Sequence, residues 1–311
     1  MIDILPYPLI VDQDELCEAL EVGYVARLGV LATGQRGTAK STTIRAFSMM
    51  AFGDLPVTLP MGVTDDRVLG GLSVDALLGP EPVEKWQPGL LEKASATGML
   101  YIDEVNLLED HIVNLVLDTA ASGIVTFPRD NADRPPTQIQ FALVGSMNPD
   151  EGPLRPQLLD RFSLVVGVEG RGDREARAKI LHNLLEYELH RDDPASPYMQ
   201  VLHRENAAKR KQLEEARKRY RSVTVPDDAV AACARIAEEF HLVGHRGEMV
   251  MLRAARAAAA RAKRRQVTVE DVRKVAKPAL VHRRPNVDSG SPRPWGNDEE
   301  KRLTAAVGGE R

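Results

Sequence analysis

The sequence has few cysteines and few aromatic residues. Cysteine accounts for two of its 311 residues, and Cys17 and Cys233 lie far apart, without a C-x-x-C spacing. This scarcity argues against a disulfide scaffold, a zinc ribbon or an iron–sulfur site, and it is typical of a protein from a reducing cytoplasm. Phenylalanine, tryptophan and tyrosine make up only 5% of the chain. We therefore expect a core built mainly from aliphatic side chains.

The sequence also lacks a basic excess and a long apolar run. It contains 41 basic and 45 acidic residues, with a net charge of −4, so no global positive field favours nucleic acid as a partner. No apolar run approaches the roughly 20 residues that a membrane span needs, and the N-terminal residues lack the pattern of a signal peptide. These absences predict a cytoplasmic protein with neither a nucleic-acid nor a membrane partner.

A near match to a phosphate-binding loop lies at 34–42, where the sequence reads GQRGTAKST. The pattern for such loops is G-x-x-x-x-G-K-[ST], and Ala39 occupies the position of the second glycine. The stretch alone leaves three interpretations open, namely a working nucleotide site, a site that binds without turnover, and a chance match. An apolar run before the loop and a helical pattern after it give the strand–loop–helix order that the site requires.

Individual residues of this loop suit the chemistry of ATP. Lys40 would contact the β- and γ-phosphates, and the Ser41 hydroxyl would bind Mg²⁺. Backbone N–H groups at the start of the following helix would hold the phosphates. The methyl group of Ala39 is compatible with a phosphate loop if this residue has right-handed helical φ and ψ, which alanine favours and glycine does not.

Adjacent acids follow the apolar run GMLYIDEV at 98–105. A nucleotide hydrolase needs one acid in the magnesium shell and a second that polarises the attacking water, and Asp103 and Glu104 suit these roles. The commoner explanation of two adjacent acids is a solvated turn. A phosphate loop about 60 residues upstream favours the catalytic interpretation.

A third apolar run, FALVGSMN, ends at Asn148. An asparagine at that strand end would orient the water beside Glu104, although Asn148-Pro149 is also an ordinary turn signal. Arg161 follows in the stretch LLDRF. It would either form a surface salt bridge or reach the γ-phosphate of a neighbouring subunit as an arginine finger.

The chain divides into regions of different character. Over residues 1–172, apolar runs alternate with helical patterns, which predicts an α/β domain with a parallel sheet and one long strand at about 138–146. From 173 to 284 only helical patterns occur, with Thr268 near one helix start, so we expect a smaller all-helical domain. Residues 285–311 are rich in proline, glycine and serine, which predicts a disordered tail without a C-terminal helix.

Together, these elements resemble an AAA+ ATPase, and more narrowly the I subunit of magnesium chelatase, within the MoxR- and chelatase-like helix-2-insert clade. The resemblance covers about residues 5–282. It is carried by the stretches LPMGVTDDRVLGGLSVDALL (59–78), WQPGLLEKASATGMLYIDEVNLLEDHIVNLVLDTAASG (86–123) and LVGSMNPDEGPLRPQLLDRF (143–162). It implies an AAA+ P-loop NTPase domain followed by a helical lid, with an insertion at 63–80 and a hairpin at 124–140.

For nucleotide binding, the resemblance implies a Walker A loop and a Walker B pair. The Walker A residues would be Gly34, Gly37, Thr38, Ala39, Lys40, Ser41 and Thr42. Walker B would be Asp103 and Glu104, of which Glu104 is the catalytic acid. Ser41 and Asp103 would hold the Mg²⁺ that accompanies ATP, and Asn148 would be sensor 1.

The same resemblance implies that two arginines complete the site. Arg161 would be an arginine finger that enters the site of a neighbouring subunit, and Arg155 is the weaker candidate for that role. Arg246 would be sensor 2, reaching from the lid to the γ-phosphate, with Arg253 as the weaker candidate. A finger offered to a neighbour implies a homo-oligomeric ring, and the resemblance implies a hexamer.

The implied function is that of an ATP-hydrolysing motor in a magnesium-chelatase-like complex. Hydrolysis in the ring would act on a D-type subunit with an integrin-like domain and drive Mg²⁺ insertion into protoporphyrin, with a large catalytic subunit carrying the insertion chemistry. The alternative is a MoxR-type chaperone that remodels or metallates a protein with an integrin-like domain, and MoxR-type relatives share the alanine at position 39. A third interpretation is a regulatory module that binds nucleotide without hydrolysis, which Glu104 and Arg161 argue against.

Overall fold

The computed structural model describes residues 4–72, 86–127, 135–170, 174–285 and 294–308. Its strands are β1 (Val30–Thr33), β2 (Val57–Leu59), β3 (Gly70–Leu72), β4 (Trp86–Pro88), β5 (Met99–Ile102), β6 (Ile124–Val125), β7 (Thr137–Gln138), β8 (Ala142–Met147) and β9 (Leu164–Gly167). One parallel sheet has the order β2-β5-β8-β1-β9, and β3–β4 and β6–β7 are separate antiparallel pairs. The predicted α/β class with a parallel sheet is confirmed.

Helices are interspersed with the strands up to β9, and only helices follow β9 in the described part of the chain. The first group is α1 (Asp14–Ala26), α2 (Lys40–Phe52), α3 (Asp65–Leu69), α4 (Leu90–Thr97), α5 (Asp110–Ser122) and α6 (Pro156–Leu159). After β9 come α7 (Arg174–His190), α8 (Pro197–Tyr220), α9 (Asp227–Glu239), α10 (Arg246–Arg261), α11 (Val269–Leu280) and α12 (Asn297–Gly308). Thr268 starts α11 with a capping box, as its position predicts. None of the helices in the described ranges is both long and apolar enough to cross a membrane.

Alternate side chains of the sheet enter two apolar cores, one on each face. In β5, Met99 and Tyr101 point into the first core and Leu100 and Ile102 into the second, as the two-residue period of a strand dictates. The second core is closed by α3, α4 and α5, whereas the first is shared by α1, α2 and the helices α8 to α11. The helical region therefore packs onto the sheet region through a continuous core, and the domain boundary at residue 172 stays a prediction.

The single strand expected at about 138–146 is wrong in detail. β7 instead completes a hairpin with β6, and β8 begins only at Ala142. Between them, the backbone N–H of Gln140 donates to Ser95 Oγ at 3.0 Å, outside any strand ladder. Because Ile139 is buried in the second core, the apolar pattern continues through the bend and does not reveal the break.

Two segments singled out in the sequence lie partly outside the described residues. The insertion at 63–80 contributes α3 and β3, and its part from residue 73 onward is not described. The hairpin at 124–140 contributes β6 and β7, and its residues 128–134 are not described.

The prediction of a disordered tail without a helix over 285–311 is wrong for residues 294–308. α12 packs against α9 and α11 and buries Leu303. Just before it, Trp295 stacks on the ring of Phe240, with ring centroids 5.2 Å apart. The composition indicated disorder because the tail is rich in proline, glycine and serine, whereas the order of residues 294–308 depends on partners far away in the chain. The other tail residues beyond 285 lie outside the described ranges.

Candidate functional site

The sheet order brings the predicted site residues to one edge. β5, β8 and β1 are parallel neighbours, so their carboxyl ends lie side by side. The loop 34–42 follows β1, Asp103 and Glu104 follow β5, and Asn148 follows β8. A cavity of about 260 Å³ lies between them and is lined by residues 36–42, both acids and Asn148. We call this group of residues the phosphate edge.

Backbone geometry explains the glycines of the loop and corrects the expectation for Ala39. A side chain at Gly34 would place a Cβ 2.1 Å from the carbonyl oxygen of Val168, and Gly37 has a φ of 79°. Ala39 has φ 62° and ψ 15°, so the condition of right-handed helical angles is not met. The left-handed conformation costs a non-glycine residue about 1–2 kcal/mol. Ala39 is the residue before α2, which begins at Lys40, so its left-handed angles belong to the loop and not to the helix.

A larger cavity of about 630 Å³ adjoins the loop. It is lined by Gly34 and Thr38 of the loop, by Gln13 before α1 and by Trp295 before α12. Gln13 Nε2 donates to the carbonyl oxygen of Thr38 at 3.3 Å. Since Thr38 lines both cavities, a nucleotide can place its phosphates in the smaller cavity and its nucleoside in the larger one.

Lys40 is held inside the loop by neutral oxygens. Its Nζ donates to the carbonyl oxygens of Gly34 at 2.6 Å and of Gln35 at 2.7 Å. Burial lowers the pKa of the Lys40 ammonium below its ordinary value, while the carboxylates of Asp103 and Glu104 act in the opposite direction. A cation whose direct partners are carbonyl groups can exchange them for a phosphate and gain a charge-assisted hydrogen bond.

Ser41 and Asp103 offer oxygen ligands of the kind that Mg²⁺ prefers. Ser41 Oγ lies 3.5 Å from Asp103 Oδ1, and both residues line the smaller cavity. Hydroxyl and carboxylate oxygens are hard ligands, and Mg²⁺ needs only one or two of them from the protein when phosphates and water supply the rest. The donor set therefore fits the metal that the sequence implies.

Tyr101 and Ser146, which were not identified as site residues from the sequence, connect these ligands. The Tyr101 hydroxyl lies 2.9 Å from Ser41 Oγ and 2.7 Å from Asp103 Oδ1. Ser146 Oγ lies 2.6 Å from the same carboxylate oxygen. Burial raises the pKa of the Tyr101 phenol above its ordinary value. The available signal was spacing, because Tyr101 lies two residues before Asp103 and an extended segment places both side chains on one face.

Glu104 projects from a left-handed backbone position, with φ 53° and ψ 58°, a strained conformation that is common at functional sites. Its carboxylate lies 3.6 Å from Arg36 Nη2, and Arg36 also pairs with Glu151. Glu151 is a third acid beside the phosphate edge, and its sequence signal was its position just after Asn148. One of its carboxylate oxygens is buried and makes no hydrogen bond to any described residue.

Asn148 is fixed at the end of β8 by the turn that follows. Its Oδ1 accepts a hydrogen bond from the backbone N–H of Asp150 at 3.2 Å, which caps the 3₁₀ turn Pro149–Glu151. Asn106 Nδ2 donates to the carbonyl oxygens of Asn148 at 3.4 Å and of Gly152 at 3.0 Å, and so clamps both ends of the turn. The asparagine side chain is thereby held in the wall of the cavity.

The two arginines predicted to complete the site lie outside the lining of the cavity at the phosphate edge. Arg161 pairs with Asp118, Arg246 Nη1 lies 2.5 Å from Asp160 Oδ2, and neither arginine lines the cavity at the phosphate edge. Arg283, which was not identified from the sequence, donates from Nε to Asp160 Oδ1 at 3.0 Å. We call these three arginines and their acids the arginine cluster. The structure does not bring it together with the phosphate edge.

The weaker candidates for the two arginine roles are also held by other partners. Arg155 Nη1 lies 2.6 Å from Asp110 Oδ2, and Arg253 Nη2 donates to the carbonyl oxygen of Ala26 at 2.9 Å. Neither of them lines the two cavities beside the loop.

Arg283 differs from the other members of the arginine cluster by its burial. Its side chain is 6% exposed, against 56% for Arg246 and 32% for Arg161. It donates further hydrogen bonds to the carbonyl oxygens of Phe162 at 2.7 Å and Ser163 at 2.9 Å. Burial lowers the pKa of its guanidinium to about 10, which leaves it charged at neutral pH. These contacts mark Arg283 as a structural residue that joins the end of α11 to the sheet.

Comparisons with known proteins agree with this architecture. A family model described as the AAA domain of the dynein-related subfamily matches residues 29–162, and one described as an AAA lid domain matches 230–304, which includes part of α12. A putative ATPase of known structure from Cytophaga hutchinsonii is 16% identical, with a TM-score of 0.68 over 97% of this chain and 91% of its own. That likeness supports the fold alone.

Two relatives of higher identity are named as chelatase subunits. The magnesium-chelatase 38 kDa subunit of Acidiphilium rubrum is 38% identical over 90% of this chain and 91% of its own. The magnesium-chelatase subunit ChlI of Olisthodiscus luteus is 35% identical over 90% of each chain. The chain therefore belongs to the AAA+ ATPases, in the family of magnesium-chelatase I subunits, and it hydrolyses ATP with Mg²⁺.

Proposed function

We propose that the chain is the ATP-driven motor subunit of a magnesium-chelatase-like complex in the cytoplasm. Its hydrolysis acts on a D-type partner with an integrin-like domain and drives Mg²⁺ insertion into protoporphyrin by a large catalytic subunit. The observation that carries this proposal is the identity of 35% and 38% to chelatase subunits along about 90% of both chains. A match of that length includes the helical region as well as the nucleotide site that AAA+ ATPases share.

At the phosphate edge, the loop 34–42 binds the triphosphate of ATP. Ser41 and Asp103 would hold Mg²⁺, which would neutralise the charge that develops on the phosphate oxygens. Glu104 takes a proton from the attacking water, and Asn148 orients that water. This assignment is supported by the single cavity that the loop, the two acids and the asparagine line together.

Two arginines complete the site in a hexameric ring, one from a neighbouring subunit and one from the lid. Arg161 is the finger that enters the site of the next subunit, and Arg246 is sensor 2, which exchanges Asp160 for a phosphate when the lid closes. Two observations support this assignment. Both side chains are partly exposed, and each is paired with an acid away from the chain's own phosphate cavity.

The direct test combines the purified chain with a D-type partner and a large catalytic subunit of a related chelatase. Magnesium protoporphyrin is then followed by its fluorescence in the presence of ATP. We expect metallation only when all three proteins and ATP are present, and we expect none when the chain carries Lys40→Ala. If the chain hydrolyses ATP but never supports metallation, its client is another protein.

A MoxR-type chaperone is the second candidate, and Ala39 is the residue that favours it, because MoxR-type relatives share this alanine. In that case the motor remodels or metallates a protein with an integrin-like domain, without a porphyrin. Neighbouring genes separate the two candidates. Porphyrin-pathway enzymes and a large catalytic subunit favour the chelatase, whereas an integrin-like protein alone favours the chaperone.

A further inference from the structure

A buried phenol lies between the two groups that offer oxygen ligands to Mg²⁺. The Tyr101 side chain is fully buried in the sheet, and its hydroxyl lies 2.9 Å from Ser41 Oγ and 2.7 Å from Asp103 Oδ1. Ser146 Oγ lies 3.0 Å from the same hydroxyl and 2.6 Å from Asp103 Oδ1. The two ligands stand on different elements, α2 and the end of β5, so the phenol is a link between them.

Counting protons gives directions to the short contacts around an ionised Asp103. An ionised Asp103 only accepts, and its Oδ1 receives the two short contacts, from Tyr101 and from Ser146. Each of these hydroxyls has one proton, so both are donated to the carboxylate. With its own proton donated to Asp103, the Tyr101 oxygen accepts from Ser41 Oγ, which lies 2.9 Å from it and 3.5 Å from Asp103 Oδ1. The backbone N–H of Glu104 completes the chain by donating to Ser146 Oγ at 3.2 Å.

This direction has a consequence for metal binding. A hydroxyl that ligates a cation must turn a lone pair to the metal and its proton elsewhere, and Tyr101 is where the Ser41 proton goes. Both donors to Asp103 approach Oδ1, which leaves Oδ2 for the metal or its water shell. Hydrogen bonds of this kind orient metal ligands and raise their affinity.

We propose that Tyr101 is a positioning residue for Mg²⁺, which orients Ser41 and Asp103 together by accepting from the first and donating to the second. The proposal rests on the assignment of Ser41 and Asp103 as the Mg²⁺ ligands. It differs from a packing role of the aromatic ring, because phenylalanine fills the same space without the hydroxyl. Tyr101 therefore controls how strongly Mg²⁺ enhances nucleotide binding, and leaves metal-free binding unchanged.

The test is equilibrium binding of a fluorescent ATP analogue, measured once in excess Mg²⁺ and once in EDTA. The ratio of the two dissociation constants gives the enhancement by the metal. For Tyr101→Phe we expect this enhancement to fall by about tenfold or more, while the dissociation constant in EDTA changes by less than about twofold. Ser146→Ala removes one donor to Asp103 and leaves the Ser41 contact intact, so we expect a smaller fall.

Two controls make the outcome decisive. Tyr24→Phe removes the hydroxyl of another buried tyrosine, in α1 and outside this network, and leaves the enhancement unchanged. Asp103→Asn tests the ligand assignment itself.

If Asp103→Asn abolishes the enhancement and Tyr101→Phe retains it, the positioning role is refuted. An equal weakening with and without Mg²⁺ in Tyr101→Phe also refutes it, since that is the result of altered packing. If Asp103→Asn retains the enhancement, the ligand assignment fails, and the proposal fails with it.

Discussion

The phosphate edge and the arginine cluster hold the groups that an AAA+ site requires, but they are built in different ways. At the phosphate edge, three neighbouring strand ends bring the loop 34–42, the acids and Asn148 around one cavity. In the arginine cluster, each arginine is paired with an acid of the same chain, and none lines that cavity. One chain thus gathers the loop, the acids and Asn148 around one cavity, whereas these three arginines are paired with acids outside its lining.

Removal of the proposed base at the phosphate edge gives the largest expected effect. We expect Glu104→Gln to lower steady-state ATP turnover by up to about 10⁴-fold, because the amide cannot take a proton from water. Nucleotide binding survives, since the loop and the Mg²⁺ ligands are intact. Turnover is measured by phosphate release and binding by a fluorescent nucleotide. Glu151→Gln is the matched control at the other acid paired with Arg36, and a complete loss there would show that the base is assigned to the wrong acid.

The next effect tests whether the arginine cluster serves a neighbouring chain. We expect Arg161→Ala to lower turnover by about 10³-fold, the lower end of the range for arginine fingers, with unchanged nucleotide binding. Arg155→Ala is the control, because Arg155 is also an exposed arginine paired with an acid, and it retains most of the activity.

A mixture of two inactive variants then separates action within a chain from action between chains. In a ring that contains Arg161→Ala and Glu104→Gln subunits, some sites combine an intact Glu104 with an intact Arg161 from the neighbour. We expect the turnover of such mixtures to rise in proportion to the number of these intact sites. Mixtures that stay inactive at every ratio would contradict a shared site.

The phosphate edge was predictable because its signals are local in the sequence. A glycine-rich loop and three apolar runs that end in polar residues predict the loop 34–42, Asp103, Glu104 and Asn148 at one sheet edge, and the fold places them there. Right-handed angles at Ala39 did not follow from helix propensity, because propensity applies inside a helix and Ala39 precedes α2, which begins at Lys40.

The arginine cluster and α12 depend on contacts that no local pattern contains. Asp160 meets Arg246 and Arg283 across 86 and 123 residues of sequence, and α12 depends on Leu303 and on partners in α9 and α11. The role of Tyr101 was predictable only in part. Its position in an apolar strand was visible, but its contact with Ser41 required the register of β5 against the loop after β1.

Asp160 offers a comparison inside the arginine cluster, because its two partners differ in burial. We expect Arg246→Ala to lower turnover about tenfold, because the variant loses one charge-assisted hydrogen bond to the phosphate. We expect it to change the free energy of unfolding by less than about 0.5 kcal/mol, because its ion pair with Asp160 is exposed. Arg283→Ala removes a buried cation with several acceptors, so we expect it to destabilise the fold by about 3 kcal/mol. Urea unfolding and turnover are measured for both variants. A large loss of stability in Arg246→Ala would make it a structural residue and remove the support for sensor 2.

The smallest expected effect concerns the strain that the phosphate edge carries at Ala39. Glycine relieves a left-handed cost of about 1–2 kcal/mol but loses about 0.5–1 kcal/mol more backbone entropy on folding, so we expect Ala39→Gly to stabilise the fold by about 0.5 kcal/mol. Gly62→Ala is the matched control, because Gly62 has φ 68° and open space around an added Cβ, and we expect a loss of similar size. Both values come from urea unfolding of the nucleotide-free protein. If Ala39→Gly destabilises the fold while Gly62→Ala behaves as expected, the idea of net strain at Ala39 is wrong. The packing contacts of the alanine methyl group would then stabilise the fold by more than its left-handed backbone destabilises it.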